Sequence, residues 1–250
     1  MKVITWIKHI NIKTITSLGI LLASSQSLSY DIKQELTHGH PSLQLGGFWS
    51  IQGKPQQINI NGLIGDYFNV RNGNDGNVLA GAGYYIDGPN IKNNKMQYGL
   101  NFFYLAPTRV NGTVLQENLY TNLSYNYKAT HYPLYFIAKS MFETKHPKYG
   151  VTLDAGIGPN FMSTTNFQEN SLGDNSIPDQ IFSGASTTTF SVTAGIGLKV
   201  NQFFGQRPLE CGYRFFYLGQ GNFNALTTQT LNTLNTGPGF ANALMCSITI

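Results

Sequence analysis

The segment TTTFSVTAGIGLKV, Thr187 to Val200, is the strongest constraint on what this chain can become. From Phe190 every second residue is apolar (Phe190, Val192, Ala194, Ile196, Leu198, Val200), and the residues between are small or polar (Ser191, Thr193, Gly195, Gly197, Lys199). A period of two is the signature of a β-strand with two unlike faces. YGVTLDAGIG repeats it, with Tyr149, Val151, Leu153, Ala155 and Ile157 against Gly150, Thr152, Asp154, Gly156 and Gly158. LECGYRFFYLG sets Leu209, Cys211, Tyr213, Phe215 and Tyr217 against Glu210, Gly212, Arg214, Phe216 and Leu218. NVLAGAGYYID, MQYGLNFFYLA, LYTNLSYNYK and PLYFIAKSMFE follow the theme less cleanly, and SLQLGGFWSI, QQININGLIGDYF and ANALMCSITI bring the candidate strands to ten.

What the apolar faces touch decides the fold. Most candidates run about ten residues, where strands of soluble sandwiches run about five or six. Charged residues are only 11% of the chain while aromatics are 13%, so there are too few Lys and Glu to coat a water-facing sheet. The polar faces carry Gly, Ser, Thr and Asn with isolated charges, the lining of a crowded lumen. These features predict an all-β, antiparallel up-and-down transmembrane barrel whose apolar faces meet lipid. A secreted soluble sandwich or a lipocalin-like barrel is the competing reading. Short connections at RNGNDG, KHPKYG and NQFFGQRP, with APTRVNGT somewhat longer, alternate with long polar stretches at 165–186 and 220–239, both on one side of the barrel. Ten strands are favoured; eight is the alternative if two of the weaker N-terminal candidates merge or fail.

Residues 1–29 read as a secretory signal peptide. Lys2, Lys8 and Lys13 form the positive region, Ile15 to Ala23 the apolar region, and Ser27 and Ser29 a small-residue cleavage site. A short segment, 30–41, then precedes a barrel over 42–250. Removing 1–29 takes three of the 16 Lys and Arg and none of the 12 Asp and Glu, leaving a net charge of +1. With no basic stripe, nucleic acid is not an expected partner.

The signal peptide, the amphipathic strands, GYRFFYLGQGNF and the closing strand with Leu244, Cys246, Ile248 and Ile250 together resemble the small outer-membrane β-barrel proteins of Gram-negative bacteria, the OmpA-barrel and opacity-protein type. The resemblance covers the chain from about Ser42 and implies integral outer-membrane localisation, contact with outer-membrane lipid and insertion by the barrel assembly machinery. The terminal Ile250 departs from the aromatic residue that usually ends that family's last strand.

Candidate chemistry is sparse. Lys139, Asp154, Lys199, Glu210 and Arg214 are expected in the lumen, as buried ion pairs plugging a narrow barrel or, alternatively, as a charged constriction. Residues 211 and 246 have their midpoint at 228.5, close to the centre of the 220–239 connection, so Cys211 and Cys246 can face each other across a hairpin and form a disulfide. His40-Pro41-Ser42 has the H-x-S spacing of outer-membrane lipid A deacylases, but a proline interrupts it ahead of the first expected strand. His131 and His146 read as turn residues at a membrane interface. No catalytic, metal or cofactor motif emerges. Trp49, Tyr84, Tyr85, Phe102, Tyr104, Tyr125, Tyr127, Tyr132 and Tyr135 suit interfacial girdles, whereas Phe103 and Phe216 could fill the lumen. The leading expectation is a non-catalytic structural or adhesin-like protein that meets host or envelope surface ligands through 165–186 and 220–239. A narrow pore is second and a lipid-modifying enzyme third.

Overall fold

The computed structural model describes residues 39–91, 94–146, 148–173, 176–205 and 207–250. The expected signal peptide and residues 30–38 lie outside the described residues. From His40 onward the chain is β1 (His40–Ile51), β2 (Gln56–Ile58), β3 (Asp66–Asn72), β4 (Asn74–Ile91), β5 (Asn94–Gln116), β6 (Tyr120–Glu143), β7 (Tyr149–Ser171), β8 (Phe182–Ser183), β9 (Ser186–Phe204), β10 (Arg207–Gly219), β11 (Asn224–Ala225) and β12 (Gly239–Thr249).

Eight of these close a ring. The order β1-β4-β5-β6-β7-β9-β10-β12 is antiparallel throughout, and β12 pairs back onto β1 from Ser42↔Thr249 to Ile51↔Phe240. Closure leaves no edge in the ring, so ladder donors and acceptors are satisfied without water. β2 and β3 pair with each other above β1 and β4, and β3 continues along the upper part of β5. β8 and β11 join the two long loops.

The ring has eight strands, not the ten favoured from sequence, for two reasons. LYTNLSYNYK and PLYFIAKSMFE are one strand, the 24-residue β6. QQININGLIGDYF is a hairpin, with β2 and β3 flanking a turn at 59–65, rather than a strand of the ring. APTRVNGT likewise lies inside β5 rather than in a connection.

The alternation behaves as its period requires. Leu45, Phe190, Leu198 and Leu244 are at least 60% exposed on the outer wall, while Gln44, Ser191, Thr193 and Arg214 point inward and are buried. Trp49, Tyr84, Phe102 and Tyr104 face out at the margins of this apolar belt. Tyr85, Tyr125, Tyr127 and Tyr135 are instead buried inside, correcting their expected place in the girdle; each occupies an inward position of its strand. Phe103 and Phe216 fill the lumen.

Two interior layers follow. The lower joins Phe48, Leu79, Phe103, Tyr135, Ile137 and Phe216 within the belt, with Phe103 and Phe216 edge to face at 5.4 Å. The upper joins Ile58, Phe68, Val114, Tyr125, Tyr127, Phe167, Phe182, Phe223 and Leu234. A bilayer needs roughly 9–11 residues of tilted strand, whereas β5, β6 and β7 have 23, 24 and 23. About half of each long strand therefore stands clear of the membrane around this second core.

Candidate functional site

Two regions carry polar groups in an unusual setting: the charge cluster in the belt and the roof over the upper core. In the cluster, Lys139 of β6 bonds Glu210 of β10 at 2.8 Å, and Arg214 of β10 pairs with Asp154 of β7 at 2.8 Å. Thr152 donates to Glu210 at 2.8 Å and Arg214 also donates to Thr193 at 3.3 Å. The cations lie over aromatic rings, Lys139 at 4.8 Å from Tyr85 and Arg214 at 5.5 Å from Phe103.

β7 and β10 are not neighbours; β9 runs between them, and its glycines make the contact feasible. A Cβ on Gly195 would lie 2.9 Å from Asp154 Oδ2 and 3.2 Å from Arg214 Nη2. One on Gly197 would lie 2.7 Å from Thr152 Oγ1 and 3.1 Å from Glu210 Oε1. The GIG of β9 is thus a lane without side chains across which the charges of its neighbours meet.

Four of the five expected lumen charges converge. Lys199 stands apart, with Nζ 3.6 Å from Met141 Sδ, although it is opposite Glu210 in register. A cavity of about 20 Å³ lies beside Gln44, Met245 and Ser247, room for one water. The opposite charges are thus in direct contact, capped by hydroxyls and rings.

Cys211 and Cys246 are directly opposed in the β10–β12 ladder and joined as a disulfide, with Cα atoms 4.0 Å apart. Sequence reasoning misplaced His131: it is inside β6, fully buried, with Nδ1 3.0 Å from Asn160 Nδ2. His40 to Ser42 lie within β1, not ahead of it. His40 Nε2 is 3.2 Å from Asp87 Oδ2. Ser42 Oγ is buried and makes no hydrogen bond, so no activated nucleophile is assembled there. Among the described residues no group of three or more His, Cys, Asp or Glu could hold a metal ion.

The roof is the region sequence reasoning saw only as polar loops. Its four outer connections are tied in a cycle. Ile64 N donates to Glu117 Oε2 at 3.0 Å, joining the first to the second. Leu172 N reaches Asn122 O at 2.8 Å, joining the second to the third. Leu226 N reaches Ile181 O at 2.8 Å, joining the third to the fourth, and Asn61 N and Leu231 N close the cycle at 2.8 Å on Gln229 O and Asn59 O. Glu117 and Asn118 adopt left-handed backbone at φ 50° and 55°, and Asp66 Oδ1 holds the Glu117 amide at 3.0 Å. Burial pushes the Asp66 and Glu169 carboxyls above their ordinary range; Glu169 accepts the Gln180 amide at 2.8 Å.

A polar, filled interior, an apolar wall and an eight-strand closure decide the architecture. The fold is that of the small outer-membrane β-barrels. No protein-family model and no curated protein matches the chain. Solved structures with a similar fold include Neisserial surface protein A, at 12% identity and TM-score 0.44, covering 84% of this chain and 96% of that one. OprG from Pseudomonas aeruginosa has 12% identity and TM-score 0.46 over 84% and 96%. The outer membrane protein AlkL has 12% identity and TM-score 0.45 over 85% and 90%. Within that fold, the chain is described by its paired belt charges and its tied roof.

Proposed function

We propose that this protein is an integral outer-membrane β-barrel that works without catalysis, as a surface-interaction protein presenting its roof to partners outside the cell. The observation that carries this reading is the roof itself. Its connections are fixed to one another and to a buried aromatic core, yet each points large apolar side chains at solvent. Leu63 and Ile64, Leu119 and Tyr120, Leu172 and Ile177, and Leu226 and Leu231 are all more than 50% exposed. A rigid surface that displays apolar groups suits recognition, because little ordering entropy is lost on binding.

The test compares adherence to an epithelial monolayer of cells displaying the protein with that of cells displaying the Leu226→Asn/Leu231→Asn variant at equal surface amount. Both side chains point away from the roof core, so the fold should survive. A loss of adherence of several fold is expected; equal adherence of the two would remove the reading. Excising 220–239 is a poorer probe, since Phe223 and Leu234 in that stretch are core residues of the roof.

A further inference from the structure

Above the apolar belt, β5 and β6 place two cations face to face. Arg109 and Lys128 are register partners in the β5–β6 ladder. Both point outward, because Thr108, Val110, Tyr127 and Ala129 on either side of them are buried in the interior. Like charges directly opposed across a ladder repel and weaken the pair unless an anion lies between them. Among the described residues neither makes an ion pair. The Asp75 carboxylate accepts from the Arg109 backbone amide at 2.7 Å, and among the described ion pairs it does not meet the guanidinium. Thr165 of β7 is the neighbour on the far side of Lys128. A third cation, the exposed Arg71, sits at the irregularity of β3 where Val70↔Gly112 gives way to Asn72↔Asn111, just above Arg109 on the adjacent strand.

The height of this trio is informative. Tyr104 and Tyr132, whose rings lie 5.5 Å apart, face outward at the top of the belt on the same two strands. Lys128 lies four residues above Tyr132 and Arg109 five above Tyr104. Lys and Arg side chains at that level reach back toward the membrane surface, where amphipathic rings end and headgroups begin. By contrast, the roof stretches 55–70, 110–127, 166–186 and 220–239 contain no Lys or Arg. On the outer half of the barrel the cations are Arg71, Arg109 and Lys128, near the level of the headgroups, with Lys54 at the start of the first connection.

We infer that Arg71, Arg109 and Lys128 form a binding site for a phosphate group of the phosphorylated glycolipid of the outer leaflet, with the anion lying between Arg109 and Lys128. The inference rests on the outer-membrane placement proposed above but not on adhesion. Arg109 offers a planar fork to two phosphate oxygens and Lys128 a point charge to a third.

Native mass spectrometry of the folded, detergent-solubilised protein tests it, with bisphosphorylated lipid A and its dephosphorylated form as probes. The native chain should retain one bisphosphorylated molecule and bind the dephosphorylated lipid about tenfold more weakly, the same loss expected for R109Q/K128Q. A single R109E change supplies the missing carboxylate from the protein, so it should lose the lipid while raising the melting temperature, which separates loss of the site from loss of the fold. Undiminished retention by folded R109Q/K128Q or R109E, or equal retention of the dephosphorylated lipid, would overturn the proposal. Displacement of the lipid by millimolar inorganic phosphate would also overturn it, showing a site for free anions. Because the readout is lipid retention, its failure is independent of any failure in adherence.

Discussion

Gly195 is the residue on which the belt turns. Asp154 and Arg214 are buried on either side of it, and their contact exists only because β9 offers no side chain between them. Gly195→Val should therefore separate the pair and leave two charges inside the barrel, destabilising the fold by about 3–5 kcal/mol. Urea unfolding of the protein refolded into vesicles measures this. Gly173→Ala is the matched control: nothing lies within 4 Å of the added methyl, so the midpoint should not move. The inward glycines were visible in the sequence as alternation, but alternation assigns a face and not a partner. That Asp154 would meet Arg214 across an intervening strand depends on register, which no single strand contains.

At the level of elements, the roof should loosen independently of the barrel. Phe223 packs on Tyr127 at 4.9 Å and on Phe167 at 5.6 Å. Phe223→Ala should cost about 3–5 kcal/mol of local stability. It should speed hydrogen exchange in 220–238 and at the outer ends of β6 and β7, while the belt remains protected. Acidity should act in the opposite sense. The Asp66 and Glu169 carboxyls are raised in the folded protein, so the roof binds more protons than the unfolded chain. Their stabilising effect is complete below the ordinary carboxylate value and is lost as pH rises through the raised one. Exchange in the roof should accordingly be slower at about pH 4 than at pH 7 after correction for intrinsic rates. The faces of β7, β9 and β10 were legible from their period, as was the side on which the long connections emerge. Strand count was not, because APTRVNGT and KATHYP carry turn residues inside long strands. The β5–β6 register shifts between Leu105↔His131 and Thr108↔Ala129, and it is there that Pro107 is accommodated. A proline at such an irregularity costs no ladder bond, and it mimics a loop in the sequence.

For the whole molecule, a filled belt under a tied roof implies a silent membrane. The protein inserted into a planar bilayer should show no steady conductance steps, and reproducible steps would restore the pore reading. The paired charges of the belt also bear on closure of the ring. In a barrel, the stagger between strands sets tilt and diameter. Sliding β10 by two residues along β9 would keep every apolar side chain facing lipid and every ladder bond made, so hydrophobicity does not penalise that error. The lane at Gly195 and Gly197 does. Any such slip strands Asp154 and Arg214 without each other, since both have Gly195 as their register partner on β9. A clasp across three strands thus acts as a vernier, admitting one stagger in the last third of the chain before β12 seals the ring against β1.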